Sequence, residues 1–287
     1  MRILLIGVTG MLGQALCVEA SKRNHCVLGI ARNRAELRID LSKIINFDSI
    51  IQKNRPEVII NASAITDLSY CEQHPDEAYL VNARPVELIA DACTRHGIYY
   101  VQISTDHYYL NDSRKKHNEN DPIVIVNEYA RSKISGEAFA LLHNGSLVLR
   151  TNLVGFRNYG LPTFIEWAIH SLSHSKLITL YDDYYTSSID VRRFSSILLD
   201  LIAIKPSGVI NLASSQVSSK KELIDMLAIR LGLSTSNTVV GSVTNMDGPR
   251  RCNTLGLDVA KAERLLGYEL PNTYKVIQSL AEEYGRF

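Results

Sequence analysis

An α/β fold built on a doubly wound parallel sheet is what this 287-residue sequence predicts. Two observations predict it. A glycine-rich turn follows directly on an apolar N-terminal run, and strand-period and helix-period segments then alternate as far as residue 151. "RILLI" at residues 2–6 reads as a buried strand, and the "GVTGMLG" after it spaces Gly7, Gly10 and Gly13 as G-x-x-G-x-x-G. Helix-forming residues continue from Met11. Strand, tight glycine turn and helix is the Rossmann-type setting, in which the backbone approaches a pyrophosphate held at a helix N-terminus. A strand–helix turn without a ligand is the alternative.

The later elements extend the pattern. "CVLGIA" (26–31) is a second strand, and it runs into "ARNR" instead of the carboxylate that would bind a ribose 2′-hydroxyl. Arg32 and Arg34 suit a 2′-phosphate through charge-assisted, bidentate hydrogen bonds. NADP(H) is therefore expected ahead of NAD(H), which stays allowed; two ordinary charges on a solvated loop are the alternative. "VIIN" (58–61) is a third strand, residues 75–97 carry helical spacing throughout, and "YYVQIS" (99–104) and "LVLRT" (147–151) are further strands. Such strand–helix alternation implies right-handed crossovers, with ligands beyond the carboxyl ends of the strands. The glycine turn, the loop after Asn61 and residues 104–106 all lie at such ends.

Between the last two strands stands "VNEYARSKISGE" (126–137). Three intervening residues put Tyr129 and Lys133 one turn apart on one helical face, close enough to act together. The spacing alone also fits a solvated face.

Composition narrows the class. Hydrophobic content of 46% and charged content of 21% are those of a globular protein, and a net charge of +1 gives no field to draw in nucleic acid or an acidic membrane. No apolar stretch approaches the roughly 20 residues that span a bilayer. The "ILLIGV" run meets glycines too soon for a signal-peptide core. Five scattered cysteines without a C-x-x-C pair fit reduced thiols and a cytoplasmic location.

Taken in order, "GVTGMLG", "DLS" (40–42), "NASAIT" (61–66), "STD" (104–106), "NEYARSKISGE" and "LRT" (149–151) resemble the extended short-chain dehydrogenase/reductase superfamily. Within it the likeness is greatest to the dTDP-4-dehydrorhamnose reductase family, and it covers nearly the whole chain. The resemblance implies an NADP(H)-dependent reductase of the 4-keto group of a nucleotide-linked 4-keto-6-deoxy sugar. It implies Tyr129 as the acid, Lys133 as its pKa-lowering partner and ribose ligand, and Thr105 as the hydroxyl that polarises the ketone. The chemistry agrees: a free tyrosine has a pKa of ~10, and a neighbouring ammonium stabilises the phenolate. Gly7, Thr9, Gly10, Met11, Leu12 and Gly13 would cradle the cofactor. Asp40 and Leu41 would flank the adenine, and Ala62, Ser63 and Ala64 would line its central portion.

On the substrate side the resemblance implies Asp106 as a neighbour of the sugar, a turn or N-cap carboxylate being the alternative. Arg250, with Arg251, would clamp the diphosphate unless it forms a structural ion pair. Leu153 stands two residues after the Arg-Thr strand end, where the family carries a tryptophan. "DDYYTSS" (182–188) replaces a Gly-x-Pro-Thr-like turn. Both departures fall in the substrate lobe and leave the identity of the sugar open. Two other functions share the fold: an epimerase that retains NAD, and a non-enzymatic NADP-binding regulatory subunit, since that of methionine adenosyltransferase resembles the same family. The expected partners are a nucleotide sugar, neither nucleic acid nor membrane, and a second copy of the chain as a candidate homodimer.

After residue 151 the alternation weakens. Residues 187–204 read as an amphipathic helix and 208–213 as a buried strand. The expected cofactor domain is therefore 1–154 with 187–215, interleaved with a smaller substrate-binding lobe of 155–186 and 216–287. The sugar is expected in the cleft between them, with Leu153 on its wall. His170 and His174 have a metal-like spacing but no third ligand, so no metal is expected. "SRKKHNEND" (113–121) reads as an exposed charged loop.

Overall fold

A computed structural model describes residues 1–110, 112–157 and 159–285. They form two compact units. The first comprises Met1–Thr105, Ile125–Arg150 and Ser195–Ile210; the second comprises Asp106–Val124, Thr151–Phe194 and Asn211–Phe287.

The first unit is built from strands β1 (Arg2–Ile6), β2 (Cys26–Ala31), β3 (Leu37–Arg38), β4 (Val58–Asn61), β5 (Tyr99–Ile103) and β6 (Leu147–Arg150). Its helices are α1 (Met11–Lys22), α2 (Phe47–Asn54), α3 (Leu68–Gln73), α4 (Pro75–Asn82), α5 (Arg84–His96) and α6 (Glu128–Leu141). The sheet order is β6-β5-β4-β1-β2-β3, with Gly208–Asn211 added beside β6. All five pairings from β6 to β3 are parallel. The reversal of direction at β1 makes this the doubly wound Rossmann-type sheet expected. Helices covering both faces explain why β1, β4 and β6 are apolar runs without alternation. Leu4, Ile6, Ile30, Ile59, Tyr100 and Val148 pack with Phe47, Ile51, Val86 and Ile89 in one core cluster. Each such side chain contributes about 1.5–3 kcal/mol by leaving water.

Residues 75–97 form two helices instead of the expected one. Ala83 leaves helical geometry at φ −119, and α5 restarts with Pro85 in its first turn. Proline has no N–H to give to a preceding turn, which favours a helix start at this place. Val86, Ile89, Ala90 and Cys93 keep the apolar spacing that hides the break in the sequence.

In the second unit β7 (Leu153–Val154) pairs with β10 (Ile189–Asp190), and β8 (Ile178–Tyr181) with β13 (Thr238–Gly241). β9 (Tyr185–Thr186) lies between β12 (Ser218–Ser219) and β14 (Thr254–Leu255). The helices of this unit are α7 (Phe164–Ser173), α9 (Lys220–Leu231), α10 (Ala260–Leu266) and α11 (Thr273–Tyr284), whereas α8 (Val191–Ile204) passes into the first unit from Ser195 and β11 (Gly208–Asn211) belongs to that unit up to Ile210. The expected helix at 187–204 thus begins at Val191. Its first residues form β10 instead, with the Ile189 amide donating to Asn152 O at 2.9 Å.

The units divide at other places than the sequence suggests. Residues 106–124 belong to the second unit, where Val124 donates to Tyr108 O at 2.7 Å and His117 to Gly256 O at 2.9 Å. Residues 151–154, 187–194 and 211–215 do so too. Asn111, Asn158, Arg286 and Phe287, which fall within the expected domain ranges, lie outside the described residues.

Candidate active site

The glycine turn of the first unit is as tight as its spacing implies. Gly7 sits at φ +87, donating to Ile30 O at 2.8 Å and accepting from Gly10 N at 3.0 Å. A Cβ on Gly7 would meet Ser63 N at 2.8 Å and Ala62 C at 2.9 Å, and a Cβ on Gly13 would overlap Gly7 O. Only glycines fit here, so the turn lies against the backbone of the loop after β4. Gly10 caps α1 without a side-chain hydrogen bond, and Met11 and Leu12 begin the helix. Backbone N–H groups with no side-chain cap are what an anionic phosphate needs. Thr9 O accepts from Gln14 Nε2 at 2.9 Å, fixing the end of the turn.

Arg32 and Arg34 follow β2 and are exposed, Arg34 in left-handed backbone at φ +55. A carboxylate does reach this strand, although not at its end: Glu36 Oε2 accepts from Gly29 N at 3.0 Å. Asp40 accepts from Ser42 N at 3.0 Å, which together with the Ser42 hydroxyl and the Lys43 and Arg32 charges holds its carboxyl below the ordinary range. Leu41 is buried beside it in sequence.

Beyond β5 and on α6 lie the three residues of the catalytic expectation. Thr105 is buried directly after β5. Tyr129 and Lys133 are both buried on α6, whose first turn is capped by Asn127 accepting from Ala130 N at 2.8 Å. Lys133 Nζ donates to Ile103 O at 2.8 Å, tying the helix to the end of β5. Burial lowers the Lys133 ammonium to a pKa of about 8, with Glu137 partly offsetting the loss. Around this pair runs a buried clamp that the sequence did not disclose. Ser104 Oγ donates to Glu137 Oε1 at 2.5 Å, and Arg150 reaches Glu137 Oε2 through Nε at 3.1 Å and Nη2 at 2.8 Å. The clamp fixes the ends of β5 and β6 to α6, and with them the two positions flanking Thr105 and Lys133.

The second unit holds Asp106, Leu153 and Arg250. Asp106 is 1% exposed and accepts from Asn152 Nδ2 at 2.8 Å. Leu153, next to Asn152, is half-buried on β7, and Arg250 is exposed. The charges of Asp106 and Arg250 both reach Cys252, whose thiol burial pushes up to about 12. Four residues that sequence reasoning missed complete this group: His107, Asn152, Ser188 and Lys220. Lys220 Nζ lies 3.2 Å from both Asn152 Oδ1 and Ser188 Oγ. Burial lowers its pKa while the Asp106 carboxylate pulls it up. His107, 3.5 Å from the Tyr184 hydroxyl, is driven down to about 3 by burial and by the charges of Lys220 and Arg251. It is a neutral imidazole at any physiological pH. No spacing signal could have found this group, because its members come from four separate segments.

Two weaker sequence signals resolve differently. The rings of His170 and His174 lie with centroids 4.2 Å apart, tilted by 36°, and Lys176 Nζ lies 3.3 Å from His170 Nε2. An ammonium there opposes a metal ion, and no group of three or more metal-ligating side chains exists among the described residues. The charged run at 113–121 is not wholly an exposed loop. His117 is 3% exposed and stacks on Tyr109 at 4.0 Å, anchoring the segment. All five cysteines are free, and no described helix is long and apolar enough to cross a membrane.

The RmlD substrate binding domain family model matches residues 1–285. The chain is 25% identical over 236 residues to the spore coat polysaccharide biosynthesis protein SpsK of Bacillus subtilis, covering 82% of this chain and 81% of that one. It is 36% identical over 166 residues to the dTDP-4-dehydrorhamnose reductase of Aggregatibacter actinomycetemcomitans, covering 55% and 53%. Among solved structures, a dTDP-4-dehydrorhamnose reductase of Bacillus anthracis in complex with NADP superposes with a TM-score of 0.88 at 23% identity, covering 98% and 99%.

Proposed function

The chain belongs to the RmlD substrate binding domain family, and from that premise we propose that it is an NADP(H)-dependent oxidoreductase. Its substrate is a nucleotide-linked 4-keto-6-deoxy sugar, reduced at the 4-keto group. The observation that carries this reading is the pairing of Tyr129 with Lys133 on one face of α6, both buried, with Lys133 tied to the end of β5 beside Thr105.

NADPH supplies the hydride. The first unit is the cofactor domain: its glycine turn and the start of α1 hold the pyrophosphate, and Ala62–Ser63–Ala64 back the central portion. Asp40 and Leu41 flank the adenine, and Arg32 with Arg34 take the 2′-phosphate. Glu36 Oε2, engaged by Gly29 N at 3.0 Å, is turned to the strand backbone. Lys133 holds a nicotinamide ribose hydroxyl and keeps a positive charge one turn from Tyr129. As the C4 oxygen gains charge, Thr105 donates a hydrogen bond to it and Tyr129 gives it a proton, the Lys133 ammonium stabilising the phenolate that remains.

The second unit is the substrate lobe. Asp106 and Leu153 face the sugar, and Arg250 takes the diphosphate. Leu153 at a tryptophan position of the family supports a sugar other than the rhamnose precursor. The enzyme is cytoplasmic and has no nucleic-acid partner, consistent with a net charge of +1; a homodimer is its candidate assembly. The test is NADPH oxidation against a panel of nucleotide-linked 4-keto-6-deoxy hexoses. At least one member should be reduced with one NADPH consumed per product. A panel on which no member is reduced contradicts the reading.

A further inference from the structure

The second unit contains one cation in a place where stability argues against it. Lys220 is the first residue of α9, after the N-cap Ser219, where the helix dipole is positive. It is also drawn deep enough that desolvation lowers its pKa. Both placements cost free energy, which the Asp106 carboxylate and the acceptors Asn152 Oδ1 and Ser188 Oγ offset in part. A residue that breaks two local rules at once points to a site.

The hydrogen bonds around it can be directed. Ser188 Oγ donates to Asn152 Oδ1 at 2.7 Å, so its single proton is committed. Thr186 Oγ1, 2.8 Å from Ser188 Oγ, must therefore be the donor of that pair. Lys220 donates to Asn152 Oδ1 and Ser188 Oγ. With Oδ1 receiving both groups, the Asn152 amide must turn its Nδ2 to Asp106. Lys220 thus fixes which way Asn152 faces. An ammonium has three protons, and among the described residues two acceptors meet it, Asn152 Oδ1 and Ser188 Oγ, with the ring centroids of Phe164 and Tyr184 5.2 and 5.9 Å away. Asn152 Nδ2 likewise has a second proton to give. Lys220, Asn152 and His107 are each half-buried and keep accessible surface. The result is a recessed cluster of donors, positive overall once the guanidinium of Arg251 acting on His107 is counted. Asp106 connects it by one peptide bond to Thr105.

Resting on the keto-sugar reading above, we propose that Lys220 is a substrate-binding, specificity-determining residue. Its third ammonium proton donates to an oxygen substituent of the sugar ring, and its charge rejects a sugar that carries an amine there. A site built to donate to an oxygen discriminates strongly against a ligand that offers none.

The experiment compares wild type, Lys220→Met and Lys220→Gln on paired nucleotide-linked 4-keto-6-deoxy hexoses that differ only by a hydroxyl or an amino group on the ring. Wild type should prefer the hydroxyl sugar. Lys220→Met should raise KM for it by about 10–100-fold, the usual worth of a hydrogen bond to a charged group, and should narrow the preference. Turnover at saturation should change far less, and NADPH affinity not at all, because the glycine turn lies in the other unit. Lys220→Gln keeps a donor and should fall between; it also carries the test if the Met variant does not fold. Variants whose KM and preference match wild type overturn the proposal. If wild type reduces no sugar of the panel, the keto-sugar reading fails and this inference falls with it; wild-type turnover with unchanged variants overturns the inference alone.

Discussion

Lys133 of the first unit, buried, and Lys220 of the second, half-buried, are amines with depressed pKa values, yet they are held in different ways. Lys133 donates to a backbone carbonyl, Ile103 O, at the end of a sheet strand. Lys220 instead donates to the side chains of Asn152 and Ser188, with the Asp106 carboxylate acting on it. A carbonyl is present whatever side chains the strand carries, so the first arrangement survives sequence change and keeps a fixed geometry for proton transfer. The second depends on three further side chains, each of which can vary. On the proposed reading the contrast separates a constant chemical step from a variable sugar pocket.

The largest effect should come from the constant side. Tyr129→Phe keeps the ring and removes the proton, so turnover should fall by about 10²–10⁴-fold while NADPH binding persists. Turnover within twofold of wild type removes Tyr129 from the mechanism.

Next comes the linkage of Lys133 to pH. Its folded pKa of about 8 lies below its ordinary value of 10.5, so between those values the unfolded chain binds more protons and stability rises with pH. Stability from this group is fully present above the upper value and lost as pH falls through about 8. Denaturant melts of wild type and Lys133→Met from pH 7 to 11 should therefore diverge by about 3 kcal/mol, at ~1.4 kcal/mol per pKa unit. A difference independent of pH shows that the ammonium is not desolvated.

Third is cofactor choice. Replacing Arg32 and Arg34 together with Ala should weaken NADPH by about 10–100-fold and leave NADH unchanged, read by titration of cofactor fluorescence. Equal affinities in wild type and an unaltered double variant contradict the assignment.

The smallest effect belongs to the variable side. Leu153→Trp should change the relative kcat/KM among keto sugars by a few-fold to about 10-fold, the range of a modest apolar contact, with NADPH affinity constant. An unchanged ranking across the panel removes Leu153 from the sugar wall.

The same contrast explains what the sequence disclosed. The sheet was legible because a parallel strand covered on both faces must be a short apolar run, as "RILLI" and "VIIN" are. Gly7–Gly13 and Tyr129–Lys133 were legible because each lies within one turn or one helix, where spacing is geometry. The break at Ala83 was hidden because apolar positions keep their period across it. β10 was hidden because two residues of strand carry no period of their own. His117 was masked by the charges around it. Lys220 reads in "SSKKEL" as an ordinary solvated helix start. Its role exists only because the fold joins positions 106, 152, 188 and 220, a contact set that no local pattern encodes.

The most direct test of the central claim, that Tyr129 and Lys133 serve a net hydride transfer to a sugar ketone, follows a deuterium label. The enzyme is given NADPH deuterated at the transferable C4 position and a nucleotide-linked 4-keto sugar that it accepts, and the product is read by mass spectrometry and NMR. The account predicts one deuterium on C4 of the sugar and one equivalent of cofactor oxidised per product. A sugar changed only in configuration, without deuterium at C4 and with no net oxidation of the cofactor, would contradict it.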